Sequence, residues 1–181
     1  MRKLMYTVGA AAIALALFAG SASAAPAPKL QTFGTGVVTA TGDSATIVND
    51  PGEYGGVFLN SKSQGSKLLN NVVFQFTNRG DVAGGAPRFS IGIDDRNSAT
   101  ATVFAFLDAA GCGAAVGPNT TVATLVSTQN PACHVNYDGT DYANWSAFAA
   151  ANPTYKTNAG GTPFIIADQA GSYSVTDIVL R

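Results

Sequence analysis

Two stretches of strict alternation constrain this chain more than anything else in it. Between Val72 and Thr77, Val72, Phe74 and Phe76 share one parity while Val73, Gln75 and Thr77 share the other; between Arg88 and Asp94, Phe89, Ile91 and Ile93 oppose Arg88, Ser90, Gly92 and Asp94. A period of two belongs to an extended strand with one buried and one wet face. Similar short apolar runs recur at 37–41, 45–48, 56–60, 71–77, 88–94, 102–107, 121–127, 164–167 and 172–180, separated by Gly, Asn, Asp and Pro. That spacing predicts an all-β fold, and half-apolar sheets must pack face to face to hide their inner sides. The expected architecture is therefore an antiparallel β-sandwich, jelly-roll-like. From Val103 to Leu107 both parities are apolar, which predicts a strand that is central or covered on both sides. Of the 11 acidic residues only Glu53 is a glutamate, and Thr, Asn and Gly are plentiful, a mixture that favours strands and turns over helices.

One segment departs from this pattern. Tyr142, Trp145, Phe148 and Ala149 fall at helical spacing in the run 142–151, with Asp141 available as N-cap and Asn152-Pro153 as a stop. One short amphipathic helix is expected there, capping an end of the sandwich.

The first residues carry Arg2 and Lys3, an uncharged apolar run from Val8 to Ala19 and then the small residues Gly20 to Ala24. This is the layout of a secretory signal peptide, and the run is shorter than the roughly 20 residues of a spanning helix. Three divisions follow: a signal peptide at 1–24, a flexible leader at 25–35 containing Pro26 and Pro28, and a β-sandwich domain at 36–181. After cleavage no membrane span is expected, and the product is secreted or held at the cell surface. The 157 residues that remain suit one domain with one core. They carry 8 basic and 11 acidic residues, which argues against nucleic acid as a partner because phosphate binding needs clustered Lys and Arg. In an oxidising compartment Cys112 and Cys133 are expected to form a disulfide.

A resemblance enters at Gly84-Gly85-Ala86-Pro87-Arg88-Phe89-Ser90-Ile91-Gly92-Ile93-Asp94, then Phe104 to Cys112, Asn144 to Phe148, Phe164 to Asp168 and Val175 to Leu180. Over these segments the chain resembles a group of uncharacterised secreted bacterial β-sandwich proteins. The likeness implies a fold and an address rather than an activity. The closing strand, with its Asp ahead of apolar residues, also resembles the ends of jelly-roll carbohydrate-binding modules, which implies glycan binding, although fold analogy does not fix function.

Catalysis finds little to work with. His134 is the sole histidine, it adjoins Cys133, and no Gly-x-Ser-x-Gly elbow presents a nucleophile. No catalytic residue is assigned. A carbohydrate-active hydrolase would need two facing carboxylates, drawn from Glu53, Asp94, Asp95, Asp141 and Asp168. No cofactor is expected unless it is a structural calcium ion, for which Asp94, Asp95 and Asn97 supply hard oxygen ligands after a strand. Asp177 is a further metal candidate, since on a strand with an apolar face it needs either a cation, donors or a bulge that keeps it wet. Carbohydrate binding draws on aromatic rings beside polar side chains. Tyr137, Asp138, Asp141, Trp145 and Tyr155 bring both together in one stretch. Trp145 shares a helical face with Tyr142 and Phe148 and is expected to be buried, which leaves Tyr137 and Tyr155 as the better ring candidates. The function expected is a secreted, non-catalytic binding or surface protein with an extracellular glycan as its ligand. The competing readings are the hydrolase and a structural matrix or envelope component whose sheet edges pair with other chains.

Overall fold

The structure is a computed structural model that describes residues 28–60, 66–95 and 103–181. The expected signal peptide, the first residues of the expected leader and Asn97 lie outside the described residues. In chain order the strands are β1 (Lys29–Gly34), β2 (Val37–Thr41), β3 (Ser44–Asn49), β4 (Gly55–Asn60), β5 (Phe74–Val82), β6 (Arg88–Asp94), β7 (Val103–Asp108), β8 (Gly117–Ser127), β9 (Val135–Tyr137), β10 (Thr140–Tyr142), β11 (Lys156–Thr157), β12 (Phe164–Ala167) and β13 (Gly171–Leu180). One helix, α1 (Trp145–Ala151), and one 3-10 turn (Leu69–Asn71) complete the fold. An eight-stranded sheet runs β1-β4-β12-β6-β7-β9-β10, with β11 paired to the end of β6, and a five-stranded sheet runs β2-β3-β13-β5-β8. Every pairing is antiparallel, and the chain repeatedly crosses between the sheets, as in jelly-roll sandwiches.

The alternating residues meet in the core. Phe89, Ile91 and Ile93 point inward from β6, and Phe74 and Phe76 from β5, all at most 1 % exposed. The rings of Phe74 and Phe89 stack at 3.4 Å across the two sheets. Burying one such ring is worth about 1.5–3 kcal/mol, so these facing strands contribute much of the cohesion. Cys112 and Cys133 form the disulfide, 21 residues apart, tying the turn after β7 to the approach to β9.

Two expectations need correction. Residues 25–35 are not flexible throughout: Lys29–Gly34 is β1, paired in register with β4 from Lys29↔Asn60 to Gly34↔Gly55. Only Leu30 turns its side chain against the core, so the strand owes its existence to a neighbour's open edge and carries no clear alternation of its own. The helix begins three residues later than expected. Thr140–Tyr142 is taken up by β10, and Asn144 is the cap, its side chain accepting from the Ala147 N–H at 2.9 Å. The expectation for β7 is met in its first form: the strand is central, flanked by β6 and β9, while Phe104 and Phe106 are half-buried on the outward face.

Candidate functional site

Of the aromatic and polar residues expected to form a glycan site, Tyr137 and Tyr155 pack together, while Trp145, Asp138 and Asp141 are each engaged elsewhere. Tyr137 is 6 % exposed, packed on Phe148 and Tyr155 at 5.2 and 6.0 Å, and its hydroxyl donates to Asp95 Oδ2 at 3.2 Å. Burial and the Asp95 carboxylate both push its ionisation above the ordinary tyrosine range. Tyr155 is half-buried against the same ring. Trp145 is buried, as its helical spacing predicts, and its indole N–H donates inward to the Leu69 carbonyl at 2.7 Å. Asp138 is a turn residue. With Gly139 it forms the two-residue β9–β10 connection, both with positive φ, +49° and +73°, the conformation that Asp-Gly adopts in tight hairpins. Asp141 is exposed and accepts from the Asn136 side chain at 2.8 Å across the same hairpin. The reason is geometric: β9, β10 and α1 point these side chains in several directions, whereas their proximity in sequence suggested one surface.

The metal candidates separate as well. Asp94 is exposed at the end of β6, opposite Lys156, and Asp95 accepts from Tyr137. Asp177 belongs to the other sheet, where a bulge between Thr176 and Val179 gives it a φ of +56° and turns it outward, its carboxylate accepting from the Thr176 hydroxyl. The extra residue restores Ile178 and Leu180 to the inner face beside Tyr173 and Val175. Among the described residues no three His, Cys, Asp or Glu side chains come together as a metal ion would require.

The outward faces of the two sheets differ in their aromatic content, although Val37, Val48 and Leu125 are exposed on the five-stranded one. On the five-stranded sheet one cross-strand row reads Thr39, Thr46, Ser174 and Arg79, the hydroxyl-rich surface expected of a wet face. On the eight-stranded sheet the corresponding row reads Gln31, Phe58, Phe164, Ser90, Phe106, Asn136 and Asp141, one residue from each of seven strands in continuous register. Phe33 and Phe104 adjoin it. The rings touch in sequence: Phe33 to Phe58 at 4.4 Å, Phe58 to Phe164 at 6.1 Å, Phe164 to Phe104 at 5.3 Å and Phe104 to Phe106 at 6.3 Å. All five are half-buried. Gly56 makes the first contact feasible, since a β-carbon there would lie 2.6 Å from the Phe33 ring.

Polar groups frame this strip. At one end Asn60 donates to Gln31, at the other Asn136 donates to Asp141, and beside the middle Arg88 grips Asp168 through two contacts of 3.1 and 2.7 Å. The Arg88 guanidinium also lies 5.3 Å from the Phe106 ring centre. The guanidinium and carboxylate thus satisfy each other, and the centre of the face presents ring surfaces, with amides toward its ends. The sequence reading missed this strip because its five rings come from β1, β4, β7 and β12. The only local trace was the doubly apolar β7.

A concavity of about 410 Å³ lies elsewhere, between α1 and the 3-10 turn, with Leu69, Val72, Thr128, Trp145 and Asn152 on its walls. Its tryptophan spends its single polar atom inward on Leu69, and the Thr128 hydroxyl is engaged with Val72 and Phe74. Comparison with protein-family models finds no match to the chain, and comparison with curated proteins finds none either.

Proposed function

We propose that the protein is an exported, non-catalytic binding domain that holds carbohydrate on the outward face of its eight-stranded sheet. The observation that carries this reading is the seven-strand row, with phenylalanine rings through its middle and amide and carboxylate groups at its ends. Aromatic surface left half-open to water costs free energy unless something covers it, and a sugar presents both C–H faces for rings and hydroxyls for amides. The pairing of Arg88 with Asp168 favours a neutral ligand, because the guanidinium beside Phe106 is already matched by a carboxylate. Four of the five carboxylates a hydrolase would draw on are engaged locally: Glu53 accepts from the Asp50 N–H, Asp168 from Arg88, Asp141 from Asn136 and Asp95 from Tyr137. Export is supported by the N-terminal pattern and by the disulfide. No helix among the described residues is long and apolar enough to cross a membrane.

The test is a binding titration of oxidised protein beginning at Ala25 against a panel of neutral polysaccharides and their oligosaccharides. The expected result is saturable binding tighter than millimolar that F58A and F164A weaken at least tenfold without altering the circular dichroism. A flat titration across the panel removes the reading.

A further inference from the structure

Ser90 sits at the centre of the phenylalanine row, fully buried, and its hydroxyl has no hydrogen-bond partner. A hydroxyl in that position loses its water and gains nothing in return, so an alanine would suit the fold better. Two other buried side-chain atoms share this state, Asn49 Oδ1 and Asn78 Oδ1, but both belong to β3 and β5 side chains facing between the sheets, and both amides have a partnered nitrogen. Ser90 alone of the three is on an outward face, with Phe164 and Phe106 as its register partners on either side.

What covers it can be read from the ring distances. The strands flanking β6 are about 10 Å apart, twice the spacing of neighbouring strands. Phe164 on β12 and Phe104 on β7 nevertheless meet edge to face at 5.3 Å. Phe164 flanks Ser90 in register and Phe104 flanks Gly92, the next outward position of β6, so the two rings lean toward each other over the stretch of β6 that holds the serine. The pair consists of side chains alone, so its rings can turn about their own χ angles with no change in the sheet.

We infer that Ser90 is the specificity-determining contact of this face: the Phe104–Phe164 pair parts over a sugar ring, and the Ser90 hydroxyl exchanges hydrogen bonds with a hydroxyl of that sugar. The inference rests on the carbohydrate reading of the face and adds to it the group that distinguishes one neutral sugar from another, because a buried hydroxyl left unpaired by the wrong ligand discriminates more strongly than ring contact does. The ring surfaces supply affinity for any sugar with an apolar face, and the serine selects among them.

The probes are cello-, laminari-, xylo- and manno-oligosaccharides, titrated against the unaltered protein, S90A and F164A, with melting temperature recorded for each. For the sugar that binds tightest, S90A should lose about tenfold in affinity, the worth of one hydrogen bond, and should narrow the preference over the other sugars. Its melting temperature should equal or exceed that of the unaltered protein, since no hydrogen bond within the fold is lost. As a measurement that needs no variant, the amide resonances of Ser90, Phe104 and Phe164 should move together on titration of the unaltered protein. Wild-type affinity and preference in S90A, with binding lost in F164A, overturns this inference and leaves the face intact; so do unmoved Ser90 and Phe104 resonances at saturation. Absence of binding by the unaltered protein overturns the reading of the face and this inference with it.

Discussion

Trp145 offers the sharpest test of whether the helix face is core or ligand surface. It is the single tryptophan, 4 % exposed, 5.4 Å from the Phe148 ring, with its indole N–H on the Leu69 carbonyl. In W145F the fold loses that hydrogen bond. The Leu69 carbonyl retains the Val72 N–H at 3.2 Å, so it is not orphaned, and the loss is about 1 kcal/mol rather than the full desolvation penalty. The smaller ring also leaves a partly unfilled site against Leu69 and Phe148, which adds about 1 kcal/mol by the area and cavity rules. W145F should therefore cost about 2 kcal/mol and W145A about 4, against a typical stability of 5–15 kcal/mol. Urea unfolding followed by far-ultraviolet circular dichroism suits both variants, which lack the fluorophore. With a slope near 2 kcal/mol per molar urea, the W145F midpoint should fall by about 1 M. Glycan affinity should be unchanged in W145F, since the indole is remote from the phenylalanine row in the sheet. A W145F midpoint equal to that of the unaltered protein, accompanied by weakened binding, would refute this reasoning and return Trp145 to the ligand surface.

Removing the Cys112–Cys133 bond in the double alanine variant releases a loop with a separation of 21 residues and should cost about 3 kcal/mol in chain-entropy terms, read as a lower melting temperature than that of the oxidised protein. Indistinguishable melting curves would contradict it. Tyr137 and Tyr173 both have ionisation raised by burial, so each stays protonated in the fold while the unfolded chain ionises near pH 10; stability should hold below that pH and fall as pH rises beyond it. Y137F should flatten that decline between pH 9 and 11 in denaturant titrations, and an unchanged slope would show that the hydroxyl is not the cause. At Asp177, with φ at +56°, D177G should be as stable as the unaltered protein, whereas D177V should lose about 1–2 kcal/mol, because a β-branched side chain is crowded in the left-handed region. Equal thermal midpoints for the two variants would count against the bulge as the origin of the outward carboxylate.

Alternation by itself determined the two clearest strands and which side of each is hidden: β5 and β6 were legible because Phe74, Phe76, Phe89, Ile91 and Ile93 repeat at a period that only an extended chain places on one face. The helix was legible from Trp145 and Phe148, and the disulfide from two cysteines in a chain whose N-terminus has the layout of a signal peptide. Asp138-Gly139 announced the β9–β10 hairpin in the plainest local code there is, but beside Tyr137 and Asp141 it was read as ligand chemistry, a misreading of turn chemistry rather than a missing signal. Strand β1 could not be read, because a six-residue segment with two apolar side chains becomes a strand only when β4 offers it an edge. The bulge at Asp177 likewise depended on pairing, since periodicity assumes an unbroken register. Tertiary structure alone decided the phenylalanine row. Phe33, Phe58, Phe104, Phe106 and Phe164 are up to 131 positions apart in the chain, and what brings them together is the order of strands in a sheet and the register of each pair. A single strand's pattern tells which side chains share its face. Which face then goes uncovered, and which neighbours complete it, is settled only when the hydrogen bonds between distant segments are made.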